Sequence, residues 1–385
     1  MEKIKNIPSL RFPEFEDNWE IKKLGEIGVI NPPNKNLPKK FIYIDLESVV
    51  NGQLLKENLI FKSEAPSRAQ RFLFNNDILF QTVRPYQMNN LFFDRIGDFV
   101  ASTGYAQIRT KENSRFLYQY LHFQNFVDKV IERCTGTSYP SINSTDLSKI
   151  TIKIPNLPEQ NKIATFLTTV DENLQALKQK KTLLYQYKKG VMKRIFSQEI
   201  RFKDDVENDY PDWEEKKVKD IFILTRGSVL AMTLVSEKQD IDNYYPVYSS
   251  QTKKNGLSGY YNKFLFEDCI TWTTDGAGAG DVNFRKGKFY CTNVCGVLKS
   301  NEGYSNIFIA EILNSISRKY VSYVGNPKLM NNVMAEISIS VPSSIEEQTK
   351  ISNFLSAIDD KINHCQEQIV NTEVWKKGLL QQMFC

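Results

Sequence analysis

The sequence predicts an α+β protein: two tandem mixed α/β domains separated by two long helices that form an intramolecular antiparallel coiled coil, with a pseudo-two-fold internal duplication. The stretch from Glu159 to Phe196 recurs from Glu347 to Phe384 at a constant offset of 188 residues. About 120 residues with short β-like runs precede each copy. The segments that open the two halves also match, with Trp213 in the place of Trp19. A repeat on this scale decides the architecture.

Both recurring stretches carry the signals of a long helix. Asn156 with Glu159, and Ser344 with Glu347, have the cap-x-x-Glu spacing that satisfies the first N–H groups of a helix. Apolar residues then recur at alternating steps of three and four, which predicts a heptad seam. The seam consists of Ile163, Leu167, Val170, Leu174, Leu177, Leu184, Val191 and Ile195, and of Ile351, Leu355, Ile358, Ile362, Cys365, Ile369, Leu379 and Met383. Its polar interruptions are Lys181, Lys188, Thr372 and Lys376.

Periodicity alone leaves the partner of these helices open. They could be ordinary core helices, they could pair with a second copy of the chain, or they could pair with each other. The duplication favours the last arrangement, because two helices that follow equivalent domains become antiparallel around a pseudo-two-fold axis. The predicted divisions are a first domain, a first long helix, a second domain and a second long helix at 1–155, 156–200, 201–342 and 343–385.

The β-like runs of the two domains correspond along the chain. They lie at 41–46, 77–83, 99–108 and 150–155 in the first domain and at 244–250, 268–274, 289–298 and 337–342 in the second. Each domain also has an amphipathic helix candidate, 116–131 and 307–321, followed by a Gly/Pro turn, 136–142 and 325–330. Because the residues between these features differ strongly, we expect a shared fold without a shared specificity.

Composition narrows the class of protein. With 41% apolar and 25% charged residues the chain resembles a soluble globular protein, and no apolar run approaches the roughly 20 residues of a membrane span. The polar first fifteen residues carry no targeting pattern, and six cysteines without framework spacing fit reduced thiols in the cytoplasm. The net charge of +5 lies mainly in the first half and its helix, so a uniform basic coat for nucleic acid is not expected.

Two strings resemble catalytic motifs. Asn31-Pro32-Pro33-Asn34 is similar to the NPP-aromatic signature of amino-methyltransferases, but its fourth residue is Asn and no strand–Gly-loop–helix for a cofactor accompanies it. The Gly-rich stretch from Asp275 to Asp281 continues toward another strand, so we expect a flexible loop or hairpin rather than a dinucleotide site. Glycines there would let the backbone come close to a phosphate or a base edge.

A zinc site is also not expected. Cys291 and Cys295 are predicted to share one face of a strand, and the two histidines, His122 and His364, are predicted on helices, with His122 as a satisfied helix residue. We expect no metal, cofactor or catalytic site in this chain.

The chain resembles the specificity subunits of type I restriction-modification systems over nearly its whole length. The resemblance rests on the opening RFPEF…W…KKLGEI, the I-x-I-x-[IV]-P strand, the EQ-x-K-I…FL…D segment at 159–171 and 347–359, and the order domain–helix–domain–helix. It implies two target-recognition domains that each read one half of a bipartite site in double-stranded DNA, and an antiparallel coiled coil that sets the spacer.

The resemblance also implies partners. Two modification (methyltransferase) subunits would dock on the helices and carry S-adenosylmethionine, while restriction subunits would carry ATP- and Mg-dependent translocation and cleavage. The chain itself would be non-catalytic and would not associate with a membrane. Two other hypotheses stay open: a stand-alone N6-adenine DNA methyltransferase that uses residues 31–34, and a coiled-coil adaptor with no role on nucleic acid.

Polar and aromatic loop residues are the candidate DNA contacts. Arg suits guanine, Gln and Asn suit adenine, and Lys suits phosphate. In the first domain the candidates are Arg68, Gln70, Arg71, Arg84, Tyr86, Gln87, Asn89, Thr137, Ser138 and Tyr139. In the second they are Gln251, Lys253, Lys254, Thr274, Asn293, Asn326 and Lys328, with Ser250 and Asp275 beside them.

Overall fold

A computed structural model describes residues 7–34 and 36–385. The first six residues of the polar N-terminal stretch therefore lie outside the described part of the chain. The chain forms two compact units, each of which joins one domain to parts of both long helices. The first unit comprises Met1–Gln179 and Gln366–Cys385, and the second comprises Lys180–Cys365. Among the described residues, no helix combines the length and apolar character needed to cross a membrane.

The first half of the chain contains short strands followed by one long helix. Its strands are β1 (Glu20–Lys23), β2 (Gly28–Ile30), β3 (Lys40–Ile44), β4 (Val49–Val50), β5 (Gln53–Leu54), β6 (Asn58–Phe61), β7 (Ala69–Phe72), β8 (Asp77–Gln81), β9 (Leu91–Phe93), β10 (Phe99–Ser102), β11 (Tyr105–Thr110) and β12 (Thr151–Ile154). Its helices are α1 (Leu24–Ile27), α2 (Ser114–Tyr120), α3 (Gln124–Ile131), α4 (Ser144–Ser148) and α5 (Leu157–Phe196).

The second half repeats this order. Its strands are β13 (Trp213–Lys217), β14 (Ile223–Arg226), β15 (Tyr245–Tyr248), β16 (Leu257–Tyr261), β17 (Phe266–Thr273), β18 (Val282–Cys291), β19 (Cys295–Lys299) and β20 (Ser338–Pro342). Its helices are α6 (Val218–Ile221), α7 (Ile307–Ile316), α8 (Asn331–Ala335) and α9 (Ile345–Met383).

The two domains share a strand frame but divide it differently. In the first, two four-stranded sheets have the orders β6-β3-β10-β7 and β2-β11-β8-β9. In the second, one six-stranded sheet has the order β14-β19-β17-β18-β15-β16, because the long strand β18 pairs with β17 along its first part and with β15 at its end. In each domain the opening strand pairs with the strand before the long helix, β1 with β12 and β13 with β20.

The two long helices run antiparallel within each unit, as the sequence predicts. In the first unit Lys376 of α9 pairs with Asp171 of α5, and Lys178 lies 2.7 Å from Glu373, so residue numbers rise along one helix as they fall along the other. In the second unit Lys188 lies 2.8 Å from Asp359. Lys188 and Lys376 are two of the polar interruptions of the seam, and both are occupied by ion pairs related by the 188-residue offset.

Each domain core is completed by the end of the long helix that does not follow it. Phe384, just past α9, is buried in the first domain with its ring centroid 5.2 Å from that of Tyr120 and 5.5 Å from that of Phe116. In the second domain Ile195 and Phe196 at the end of α5 join the core beside Phe308. The seam residues at the start of each helix are buried in the same cores, and Leu174 and Leu177 are half-buried.

The repeated EQ-x-K motif fastens each helix to its domain. Both caps form, since the N–H of Glu159 donates to Asn156 Oδ1 (3.0 Å) and that of Glu347 to Ser344 Oγ (3.4 Å). The glutamate carboxylates, however, point away from the helix start and bind arginines of the opening segments. Glu159 accepts two hydrogen bonds of 2.7 Å from Arg11, and Glu347 accepts two from Arg201.

The other motif residues have equivalent partners. The side-chain amide of Gln160 donates to the carbonyl of Pro155, just after β12, and that of Gln348 donates to the carbonyl of Pro342, the last residue of β20. Lys162 forms an ion pair with Glu14, and Lys350 forms one with Asp205. The motif recurs because each half needs the same three polar contacts between helix, strand and opening segment.

Three local predictions are wrong. The run 99–108 is not one strand, because the chain turns at 103–104 and β10 and β11 enter different sheets. Cys291 and Cys295 do not share a strand, since β18 ends at the first and β19 begins at the second. The candidate helix 116–131 is divided into α2 and α3, and His122 lies in the turn between them rather than on a helix. Turn residues and the packing of separate sheets override the apolar pattern at these places.

Candidate nucleic-acid interface

Three loops of the first domain meet at Thr82. Its N–H donates to the carbonyl of Gly104 (3.0 Å), and its own carbonyl accepts from the N–H of Ile142 (3.1 Å). Two residues on, the N–H of Arg84 donates to the carbonyl of Pro140 (2.7 Å). These bonds hold together the loop after β8, the turn between β10 and β11, and the loop before α4.

The second domain builds the same junction at Thr274. Its N–H donates to the carbonyl of Val294 (3.0 Å), and its carbonyl accepts from the N–H of Leu329 (2.9 Å). The N–H of Gly276 donates to the carbonyl of Pro327 (3.0 Å). The loop after β17, the turn between β18 and β19 and the loop before α8 therefore converge as their first-domain equivalents do.

Equivalent positions of the two junctions carry different side chains. The hydrogen-bond pattern places Arg84 at the position of Gly276, because the backbone N–H of each donates to a proline carbonyl. That proline lies in the loop before α4 in the first domain and in the loop before α8 in the second. Tyr139 and Asn326 directly precede those prolines. One backbone frame thus presents an arginine and a tyrosine in the first domain and a glycine and an asparagine in the second.

Arg84 and Tyr139, predicted from separate loops, come together. The Arg84 guanidinium lies 4.2 Å from the centroid of the Tyr139 ring, which is 65% exposed. Arg84 has a left-handed backbone with φ 53°, a conformation that is uncommon for non-glycine residues. The turn that follows, Pro85–Gln87, holds Tyr86 half exposed. Thr137 and Ser138 are exposed in the loop that carries Tyr139.

The SRAQR segment borders the same junction. The carbonyl of Arg68 accepts from the N–H of Thr103 (2.8 Å), and Arg68 and Gln70 are exposed. Arg71 lies on β7 and its Nε is buried without a hydrogen-bond partner in the described structure. Burial lowers the pKa of Arg71 from its ordinary value.

Gln87 and Asn89 make contacts inside the first domain. Gln87 Oε1 accepts from the amide of Gln81 (2.9 Å), and Asn89 Oδ1 accepts from the N–H of Asn51 (3.0 Å). Both side chains therefore shape the loop between β8 and β9, whereas Arg84 and Tyr139 face the junction.

The second-domain candidates occupy two places. Thr274, which is buried, and Lys328, whose Nζ lies 3.9 Å from Asp275, belong to the junction, with Asn293 and Asn326 exposed on its other loops. Gln251, Lys253 and Lys254 are exposed on the loop between β15 and β16, beside the half-buried Ser250.

Arg285, which no sequence signal selects, supports this second loop. Arg285 on β18 is 8% exposed, donates to Thr271 Oγ1 (3.0 Å) and to the carbonyl of Asn255 (2.7 Å), and stacks 3.8 Å from the centroid of the Tyr248 ring. In the sequence it is one cation among several in NFRKGK, and only the fold turns it inward.

The two possible catalytic strings have structural roles. The N–H of Asn31 donates to the carbonyl of Gln107 (2.7 Å), and its Oδ1 accepts from the N–H of Gln107 (3.0 Å). Its Nδ2 donates to Ser144 Oγ (2.5 Å). Pro32 is buried and Asn34 donates to the carbonyl of Gln70 (2.6 Å). The Gly-rich stretch joins the antiparallel strands β17 and β18, so it is the expected hairpin loop.

The cysteines and histidines form no metal site in the described ranges, where no group of three or more His, Cys, Asp or Glu is placed to hold an ion. Burial raises the pKa of Cys295 to about 11, so this thiol stays protonated. The Nδ1–H of His122 donates to the carbonyl of Tyr118 (2.8 Å). Burial, reinforced by the charge on Lys376, lowers the pKa of His122 to about 4.

Fold and site together define a class of protein: a tandem-duplicated recognition scaffold whose two domains present different loops on one frame. The family model for the type I restriction modification DNA specificity domain matches residues 16–185 and again residues 210–372. The chain belongs to this family and contains two copies of its domain.

Known proteins agree with this assignment. A putative type I specificity subunit of Mycoplasma pneumoniae is 34% identical over 239 residues, which cover 60% of this chain and 93% of that protein. The type I restriction enzyme MpnII specificity subunit of the same organism is 36% identical over 171 residues, 43% of this chain and 50% of that one. The crystal structure of a type I restriction-modification S subunit from M. genitalium is 17% identical and matches with a TM-score of 0.68 over 98% of this chain and 99% of its own, which shows a shared fold.

Proposed function

We propose that this chain is the non-catalytic DNA-recognition subunit of a cytoplasmic type I restriction-modification complex. Each domain contacts one half of a bipartite double-stranded site through its junction loops. The observation that carries the proposal is the duplicated junction, in which one backbone frame presents Arg84 and Tyr139 in one domain and Gly276 and Asn326 in the other. Arginine can donate two hydrogen bonds to a guanine edge, and glycine lets backbone approach DNA closely.

In this proposal the antiparallel helices set the spacer and bind two methyltransferase subunits. Those subunits supply S-adenosylmethionine chemistry, and restriction subunits supply ATP- and Mg-dependent cleavage. Support comes from a known structure described as showing complex assembly of the type I R-M system, which matches this fold with a TM-score of 0.54. The internal contacts of Asn31 oppose the hypothesis of a stand-alone methyltransferase, since both the Oδ1 and the Nδ2 of its side-chain amide are already hydrogen-bonded within the domain.

The test uses the full chain co-expressed with its methyltransferase partner, with modified adenines mapped by sequencing. Replacing Arg84 and Tyr139 by alanine should relax one half of the recognised sequence, because each base contact contributes about 1–3 kcal/mol of discrimination. The control is Arg115→Ala, which removes an exposed arginine that stacks on Phe92 in the same domain. Relaxation of both halves, or methylation by the purified chain alone, would overturn the proposal.

A second test addresses the spacer. Inserting seven residues into both long helices preserves the heptad pattern and adds about 10 Å to each helix. At a rise of about 3.4 Å per base pair the recognised spacer should lengthen by about three base pairs. An unchanged spacer in the mapped sites would contradict the role of the helices as a ruler, even if both half-sites stay the same.

A further inference from the structure

The second domain contains a polar cavity of about 430 Å³ beside its candidate DNA-contact loops. Its walls come from the loop between β15 and β16, the Gly-rich hairpin, strand β18 and helix α7 with the turn that follows it. The lining side chains include Gln251, Thr252, Asp281, Arg285, Asn314 and Arg318. The cavity thus lies between two segments, 251–256 and 275–281, that the sequence predicts to approach DNA.

Arg285 brings an unbalanced positive charge into this cavity. Its guanidinium is buried, and its hydrogen-bond partners, Thr271 Oγ1 and the carbonyl of Asn255, are neutral. Among the described residues no Asp or Glu forms an ion pair with Arg285 or contributes to its electrostatics, whereas a buried arginine is normally paired with a carboxylate. The ring of Tyr248 offsets only part of the lost hydration.

The carboxylate of the cavity does not serve Arg285. Asp281 Oδ1 accepts hydrogen bonds from both Nε and Nη2 of Arg318, which neutralises that pair. The net charge of the lining ionic groups is therefore positive. Lys253 and Lys254 are exposed on the adjoining loop and add to the positive potential at the opening.

Neutral donors complete an anion-binding environment. Asn314 accepts the N–H of Val282 with its Oδ1 (3.0 Å), which leaves the Nδ2 hydrogens of its amide as donors. Two glycines lie close to side chains of the cavity wall. A Cβ added to Gly278 would lie 3.4 Å from Thr252 Cγ2, and one added to Gly256 would lie 3.5 Å from Arg285 Nη2, so each would touch its neighbour. A compact anion with several acceptor oxygens suits this arrangement.

We propose that this cavity is a phosphate-binding site in which Arg285 supplies the charge. Its ligand is a phosphate group, and its position beside the loops of the second domain identifies the DNA backbone as the first source to test. This deepens the proposed function and rests on it for the DNA source, whereas binding of inorganic phosphate does not depend on it. A buried guanidinium held by neutral groups binds a phosphate more strongly than exposed lysines do, because little water competes.

The experiment compares the full-length chain with Arg285→Gln, which keeps a hydrogen-bonding amide but removes the charge. In the first arm, thermal unfolding is measured with inorganic phosphate against chloride at equal ionic strength. In the second, binding of a duplex is measured by fluorescence anisotropy over a range of salt concentrations. The plot of log K against log salt has a negative slope, and loss of one phosphate contact should make that slope shallower by about 0.9.

Lys288→Gln is the matched control, because Lys288 lies on the same strand, is exposed, and stacks 4.8 Å from the Phe264 ring outside the cavity. We expect Arg285→Gln to lose the phosphate-specific stabilisation, or to show the salt slope of DNA binding reduced by about 0.9, or both, while Lys288→Gln matches the wild type in both measurements. A reduced slope alone identifies the DNA backbone as the source, and loss of the stabilisation alone identifies free phosphate. Arg285→Lys, which keeps the charge, should retain more of either signal than the glutamine variant.

Two results would overturn the site: Arg285→Gln indistinguishable from the wild type in both arms, or Lys288→Gln with the same losses. If Arg285→Gln does not fold, a lysine variant that folds and shows wild-type phosphate stabilisation and slope supports the site, and one that folds without either overturns it. A wild-type chain that shows no salt-dependent DNA binding would count against the proposed function, while the phosphate arm would still decide the cavity.

Discussion

The first domain should depend on the penultimate residue of the chain. Phe384 is 2% exposed and lies among four aromatic rings, with centroid distances of 5.2 Å to Tyr120, 5.5 Å to Phe116, 5.9 Å to Phe123 and 6.4 Å to Trp19. Truncating a buried phenylalanine to alanine costs about 3–5 kcal/mol, since the apolar contacts are lost and a cavity remains. We therefore expect Phe384→Ala to destabilise residues that precede it by more than 200 positions.

Hydrogen exchange followed by mass spectrometry measures this effect unit by unit. A loss of about 3 kcal/mol in the opening free energy should speed exchange of α2 and α3 peptides roughly a hundredfold. Peptides of β17 to β19, in the second unit, should keep their protection. Val374→Ala is the control on the same helix, because Val374 is 68% exposed. Equal loss of protection in both units, or unchanged protection in α2 and α3, would refute the view that the helix end completes the first domain.

Two further predictions concern buried ionisable groups of the first unit. Glu159→Gln leaves Arg11, whose side chain is 12% exposed, without its carboxylate, so the free energy of unfolding of that unit in urea should fall by about 3–5 kcal/mol. The control is Glu14→Gln on the surface, which should lower it by under about 1 kcal/mol. Similar losses for the two variants would contradict a buried ion pair at Glu159. Burial and the charge of Lys376 lower the pKa of His122 to about 4, and the opposing charge of Asp171 offsets only part of this shift. The neutral imidazole therefore contributes stability that is complete above pH 6.5 and is lost as the pH falls from 6.5 toward 4. Between pH 7 and pH 5 the wild type should lose about 2 kcal/mol more than His122→Gln, and parallel pH curves for the two would argue against a neutral buried imidazole.

The candidate interface was predictable in its location more than in its members. Turn residues and the Gly/Pro signals at 136–142 and 325–330 indicated the loops that converge, because such residues end strands and leave side chains exposed. The pairing of Arg84 with Tyr139 depends on the bond between the Arg84 N–H and Pro140, which joins segments more than 50 residues apart. Gln87 and Asn89 have the composition of DNA contacts but bond to Gln81 and Asn51, which local sequence does not indicate.

The sequence by itself determined the duplication and the two long helices, because a constant offset and a heptad period are properties of residue order alone. It favoured the antiparallel pairing of these helices over a pairing with a second copy of the chain. Only the tertiary structure decided that Glu159 and Glu347 bind Arg11 and Arg201 rather than their own helix starts. It also decided that Phe384 closes the core of the distant first domain. These contacts join residues far apart in the chain, and their free energy depends on burial and on partners that no local pattern records.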